Sequence, residues 1–303
     1  MHSHVSLNDQ ILSATEARIH AVTGTTFYGR GVWTTIAVTR ATPFLWQAHW
    51  ARLIAHAAQA GVDASSLDEA ATRAQLDRLI AHNNVETGRA RLSLLAKSTS
   101  GAWRMTAHVK SGELSARDDN DRADDTRGDN DRTDVLIVTG DARQAPEEGF
   151  ALTVSPHRLN THSPLAGLKT TNYLEHIIAW EEAHARHFDE AVMLNERGEI
   201  VSATLANLFW TTDGTLRTPA LACGALNGTT RAVILELADE LAIPFVESAY
   251  DLAHLGDADE IFLTSSGVGV AFCAAFDFRR YTLTAGSIAL RLREALRQRM
   301  LQA

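Results

Sequence analysis

Lys169 stands in PLAGLKTTNYLE (164–175) and is one of only three lysines, with Lys97 and Lys110, among 28 Lys+Arg residues. Arginine keeps its charge at any useful pH, whereas a desolvated lysine can lose its proton and act as an amine nucleophile. Such an amine condenses with aldehydes, pyridoxal phosphate among them, to give a Schiff base. The Pro-Leu-Ala-Gly-Leu stretch before Lys169 can dehydrate the amine, and the positive end of a following helix lowers its pKa. The same residues also suit a solvated lysine snorkelling at a helix entrance. A phosphorylated aldehyde further needs an anion cradle, which helix N-termini and nests of backbone N–H groups supply. Gly228-Thr229-Thr230 opens a helical run, and Thr264-Ser265-Ser266-Gly267 closes a strand-like one. Small hydroxyl residues cap many ordinary helices, so neither turn is diagnostic alone.

A mixed scaffold must position these residues. FYGRGVWTTIAVTR (27–40) is β-branched and aromatic, with glycines at its start, which predicts a strand entered through a tight turn. FLWQAHWARLIAHAAQAG (44–61) has helical spacing at Leu45, Trp46, His49 and Leu53 and stops at a glycine. Residues 65–82 predict a second amphipathic helix, and 89–109 read as two strands around a Ser-Thr-Ser-Gly turn. ARDDNDRADDTRGDNDRTD (116–134) holds eight Asp and four Arg and nothing more apolar than alanine. It cannot bury enough surface to offset its ordering entropy, so a solvated loop is expected, with a lid as the alternative. Strand-like DVLIVTG (134–140) follows, which makes the stretch an insertion in a first domain.

A second half begins near residue 149. Residues 172–188 are helical, with Asn172 and Glu175 in capping-box positions. Residues 190–219 form a meander of strands turning at NERG and at DG. Helix 228–243 and strand 257–272 follow. The expected fold class is α+β, with an N-terminal extension (1–17), a small domain (18–148) carrying the insertion at 115–134, and a larger domain (149–303).

The totals exclude several function classes. At 303 residues and 45% hydrophobic, the chain can bury full-sized cores and suggests two domains. A net charge of −9 argues against a nucleic-acid surface or a basic membrane patch. Cys223 and Cys273 cannot build a disulfide framework, and no Cys/His cluster predicts a metal. MHSHVSLNDQ has no apolar signal core and no apolar run is long enough to span a bilayer, so a cytoplasmic location is expected.

YGRGVWTT (28–35) with HWARL (49–53), LKTTNYLE (168–175) with DEAVMLNERGEIVSATLANLFW (189–210), and LNGTTR (226–231) with DEIFLTSS (259–266) occur in an order and spacing that is specific. Together they resemble the class IV pyridoxal phosphate-dependent aminotransferases: branched-chain aminotransferases, D-amino-acid aminotransferases and aminodeoxychorismate lyases. The resemblance covers about residues 18–295. It implies a two-domain fold type IV enzyme, D-amino-acid aminotransferase-like, with the cofactor at the domain interface. It also implies a homodimer and a small-molecule amino substrate. Carried over by residue, it implies that Lys169 forms the Schiff base and shuttles protons. Arg52 grips the phosphate from the first domain, Thr229 and Thr230 hold it by helix-start N–H groups, and Ser266 belongs to the second turn. Tyr173 packs beside the cofactor, and Thr35, Lys97 and Thr264 are substrate-side candidates, Lys97 being read first as a solvated strand-end charge.

One position departs from the family pattern. Where the family carries a glutamate facing the pyridine nitrogen, GEIVS places Ser202. Glu199 lies on the opposite strand face and cannot substitute easily. A hydroxyl shares only a neutral hydrogen bond, so a less protonated ring and a weaker electron sink are expected. The wording SPHRLNTHSPLAGLKTTNYLE, LANLFW and Thr34-Thr35 is similar to that of aminodeoxychorismate lyases, which implies release of 4-aminobenzoate and pyruvate. Transamination is the alternative, and a non-catalytic cofactor-binding protein a third, weakened by the intact lysine and turns.

Overall fold

The computed structural model describes residues 1–98 and 133–302. Among these, one sheet holds six strands: β1 (His4–Leu7), β2 (Gln10–Ser13), β3 (Gly31–Thr39), β4 (Thr42–Pro43), β5 (Thr87–Ala96) and β6 (Thr133–Gly140). Their order is β2-β1-β6-β5-β3-β4. A short helix, α1 (Gly24–Tyr28), enters β3, and α2 (Trp46–Ala60) and α3 (Glu69–His82) pack on the sheet. Gly61, in the left-handed region at φ 66°, ends α2, and the Asp68 carboxylate accepts the Ala71 N–H to start α3. Val32, Ile36, Leu92, Leu94 and Ile137 from the strands meet Leu53, Ala57, Leu76 and Leu79 from the helices in one buried core. Strand alternation then turns Trp33 and Thr35 to the other face, towards the second half of the chain.

The second sheet has nine strands among the described residues. They are β7 (Phe150–Leu159), β8 (Glu190–Asn195), β9 (Ile200–Ala203), β10 (Asn207–Thr212), β11 (Thr215–Pro219), β12 (Phe245–Ser248), β13 (Glu260–Ser265), β14 (Gly269–Phe276) and β15 (Arg279–Arg280). Helices α4 (Leu174–Ala185), α5 (Thr229–Glu240), α6 (Ala253–Gly256) and α7 (Ile288–Gln302) accompany it. Asp213 and Gly214 both take positive φ, 50° and 71°, and make the β10–β11 hairpin turn expected of Asp-Gly. Phe209 and Phe262 stack at 5.3 Å in a core shared with α5 and α7. The two halves are stitched at residues 169–171. The Trp33 N–H donates to the Lys169 carbonyl at 3.1 Å, and the Thr171 N–H donates to the Gly31 carbonyl at 2.9 Å. No helix among the described residues is long and apolar enough to cross a membrane.

Two expectations change, and a third falls almost wholly outside the described residues. Residues 1–17 are not a separate appendage: β1 and β2 form a hairpin, and Val5 and Leu7 of β1 pair with Val138 and Leu136 of β6. Four-residue strands are too short to display their alternation. Asn172 does not cap α4, whose N-cap is Tyr173. Its amide donates instead to the Tyr28 and Gly29 carbonyls, at 3.2 and 2.8 Å, because a tertiary partner is in reach. Of the insertion at 115–134, only Thr133 and Asp134 are described, and they open β6. The rest, with the second strand expected before 109, lies outside the described residues.

Candidate active site

Lys169 is held from both sides of its backbone. Its N–H donates to His56 Nδ1 at 3.1 Å and its carbonyl accepts from Trp33. Its amine lies 3.7 Å from the centre of the Trp33 ring and 5.0 Å from that of Tyr173. Burial first, then the positive charges of Arg52 and Arg91, holds this amine well below the usual lysine range. Tyr173 meets Trp33 edge-on at 5.5 Å and stacks on His176 at 4.1 Å. Burial beside the Glu190 charge keeps the Tyr173 phenol protonated.

A cavity of about 730 Å³ opens beside this amine. One end is a cradle of donors. Gly228 is the N-cap of α5 and brings no side-chain hydrogen bond, so the first N–H groups of the helix have no side-chain cap among the described residues. A β-carbon on Gly228 would collide with the Asn207 amide, which is fixed to the Leu226 carbonyl. Across from Thr229 and Thr230 stands the Ser266 hydroxyl, 3.4 Å and 3.5 Å from theirs. Arg52 reaches in from α2, donating to the Asn227 carbonyl at 3.1 Å and to Thr34 Oγ1 at 2.9 Å. Thr264 Oγ1, also in the lining, is buried and has no hydrogen-bond partner among the described residues. An orphaned hydroxyl, helix-start N–H groups and an arginine beside an amine held well below the usual lysine range fit a phosphorylated aldehyde.

Thr35, Arg52, Lys169, Tyr173, Ser202, Thr229, Thr230, Thr264 and Ser266 all line this one cavity. Lys97 does not. Its amine pairs with Asp134 at 3.0 Å, because the β5–β6 register sets the two strand ends side by side. Ser202, 8% exposed on β9, makes no side-chain hydrogen bond among the described residues. Glu199 is occupied elsewhere, by Asn195 at 2.7 Å and Arg197 at 2.6 Å. The fully buried Glu190 carboxylate accepts from Arg143 at 3.2 Å, from Thr204 and from the Leu205 N–H. It thereby pins the β9–β10 turn, whose Leu205 and Ala206 form part of the wall.

Sequence reasoning missed two arginines of the cavity wall and a buried histidine behind the anion cradle. Arg89 and Arg91 sit two residues apart on β5 and both line the cavity. Arg91 stacks 3.8 Å over Trp33 and donates to Ser93 at 3.3 Å. The Arg89 side chain makes no hydrogen bond or ion pair among the described residues, and its Nη1 lies 3.8 Å from where a β-carbon on Gly267 would stand. The Arg-x-Arg spacing on a strand was the available signal. His49 precedes Arg52 by almost one helical turn, and that spacing was the signal for it.

The histidines predict how stability depends on pH. Burial, with the charges nearby, lowers His49 to about 3 and His176 to about 4, from 6.5. Below pH 6.5 the unfolded chain therefore binds more protons than the folded one, so stability falls as pH falls from 6.5 towards 4. At pH 5 the expected loss is about 2 kcal/mol for each of the two. A Tm series over this window checks it, and a flat profile would contradict neutral buried imidazoles.

Comparison with known proteins follows the same lines. A family model described as amino-transferase class IV matches residues 31–276. D-alanine aminotransferase of Listeria innocua serovar 6a is 27% identical over 274 residues, 88% of this chain and 85% of that protein. The structure of 4-amino-4-deoxychorismate lyase from Pseudomonas aeruginosa superposes with a TM-score of 0.76 at 26% identity, covering 97% of this chain and 98% of that one. The branched-chain aminotransferase from the thermophilic archaeon Thermoproteus uzoniensis, solved with norvaline, shares the fold, with a TM-score of 0.83 at 24% identity over 100% and 96% of the two chains.

Proposed function

Because this chain belongs to the class IV aminotransferase family, whose cofactor is pyridoxal 5'-phosphate, we propose that it is a lyase acting on 4-amino-4-deoxychorismate. The products are 4-aminobenzoate and pyruvate. The observation that carries this reading is the pair Arg89 and Arg91, cations on the cavity wall with no carboxylate partner among the described residues. The proposed substrate brings two carboxylates to such a wall. The full-length likeness to a solved lyase supports the reading, as does Thr34-Thr35 after GVW.

When bound, the cofactor supplies an aldehyde for the substrate amine and a ring that withdraws electrons from the adjacent carbon. The chain's residues do the rest. Thr229, Thr230, Ser266 and Arg52 hold the phosphate, and Trp33 and Tyr173 keep the Lys169 amine dry and directed. Lys169 Nζ takes the proton from the ring carbon that bears the amino group. As the C–O bond to the enolpyruvyl group breaks, that electron pair completes the aromatic ring. The proton passes to the departing enolate, which becomes pyruvate, so no water or oxidant is consumed. Aromatisation favours the step even with Ser202 at the position where the family pattern has a glutamate.

The deciding experiment incubates purified protein with aminodeoxychorismate and measures 4-aminobenzoate and pyruvate in equal amounts. The second reading, transamination to a 2-oxo acid, is favoured by the D-alanine aminotransferase likeness over 88% of the chain. A screen of L- and D-amino donors that yields turnover while aminodeoxychorismate yields none would replace the lyase reading. Ser202→Glu is expected to alter the cofactor's absorption spectrum and its pH response, and an unchanged spectrum would remove residue 202 from the ring nitrogen. The exposed Leu174 and Ile178 on α4 and the exposed Phe27 and Tyr28 on α1, whose Tyr28 carbonyl accepts from Asn172 just before α4, support a homodimer.

A further inference from the structure

Beneath the anion cradle runs a buried chain of hydrogen bonds whose members Thr34 and His49 do not line the cavity. Arg52 Nη2 donates to Thr34 Oγ1 at 2.9 Å, so that oxygen already accepts from a group that can only donate. The same oxygen lies 2.6 Å from His49 Nδ1. Thr34 is 1% exposed, and its hydroxyl has no other partner among the described residues. Were His49 to donate here, the Thr34 hydroxyl hydrogen would be buried with no acceptor. The threonine is therefore the donor, Nδ1 the acceptor, and the neutral imidazole carries its hydrogen on Nε2.

Nε2 faces one hydroxyl from each cradle turn, Thr229 Oγ1 at 3.2 Å and Ser266 Oγ at 3.5 Å. A hydroxyl oxygen that accepts this hydrogen keeps its own available for another acceptor. We propose that His49 is a positioning residue that sets the polarity of the phosphate cradle. Arg52 and Thr34 lock it as the Nε2–H tautomer, and it supplies a hydrogen from below so that Thr229 and Ser266 present theirs to the phosphate dianion. Burial, with the positive charges of Arg52 and Lys169, holds His49 at about 3, so the relay stays uncharged in neutral solution. The proposal rests on cofactor binding and not on the reaction that follows, so failure of the lyase assay leaves it standing.

The test has a direct arm and a binding arm. In the full chain labelled with ¹⁵N at histidine, His49 is expected to show an unprotonated Nδ1 and a protonated Nε2 between about pH 5 and 8. The opposite tautomer would overturn the proposal, and this reading needs no variant to fold. In the binding arm, cofactor-free protein is titrated with inorganic phosphate, with pyridoxal phosphate and with pyridoxal. His49→Leu removes the donor, His49→Glu places an acceptor near it, and His49→Gln restores an N–H close to where Nε2 stands. Leu and Glu are expected to weaken both phosphate-bearing ligands by about tenfold to a hundredfold, and Gln by no more than about threefold. Pyridoxal should change by less than about twofold in all three. Equal losses for pyridoxal and phosphate, or a Gln variant as weak as Leu, would reduce His49 to a packing residue.

Discussion

Replacing Lys169 by alanine is expected to lower turnover by about 10⁴-fold or more and to abolish the absorbance of the covalently held cofactor. The size of the effect follows from the cavity's contents. Lys169 is the only lysine among the described residues that line it, so both the attachment point and the proton carrier disappear together. Lys169→Arg should fail as badly, since a guanidinium fills the space but does not give up its proton. Added methylamine should restore part of the proton transfer in the alanine variant and none in the arginine variant, where the space is filled. Burial and the charges of Arg52 and Arg91 depress this amine, so attachment of pyridoxal phosphate to cofactor-free protein should titrate well below 10.5. Arg91→Gln removes one positive neighbour and should move that midpoint upward. A Lys169→Ala protein that kept its colour and its rate would end the assignment.

What the sequence could disclose depended on whether a residue's role was chemical or merely geometric. Lys169 stood out because so few lysines surround it, and the two turns because small hydroxyl and glycine residues end their elements. Two amphipathic helices and the Asp-Gly hairpin were readable from period and turn chemistry, since burial on one face dictates both. His49 stayed hidden because its helical spacing already explained it as a core residue. Only the meeting of α2 with β3 and α5 shows that its two nitrogens join Thr34 to Thr229. Lys97 stayed open between a substrate-side cation and a strand-end charge for the converse reason. A lone cation near a strand end resembles a ligand until the β5–β6 register supplies Asp134. Arg89 and Arg91 looked like the exposed side of an ordinary strand, and it takes the second half of the chain, packed at residues 169–171, to make that side an inner wall.

That wall yields the second large expectation. Arg89 and Arg91 are about 7 Å apart along β5, a spacing set by strand rise, and they differ in setting. Arg91 is stacked on Trp33, whose ring also meets the Lys169 amine, so an anion it binds lies close to the reacting carbon. Arg89 is more exposed and approaches the Gly267 turn, where water screens it. For the dicarboxylate substrate, Arg91→Gln should lower kcat/KM by about a hundredfold, since truncating one partner of a desolvated charge pair strands the other. Arg89→Gln should cost about tenfold, and Lys97→Gln less than about twofold. Monocarboxylate inhibitors should lose less than dicarboxylates in both arginine variants, because only the dicarboxylate engages both cations at once. If Lys97→Gln were the damaging change while both arginine variants kept full activity, the carboxylates would dock near the end of β5 and the cavity wall would have no part in choosing the substrate.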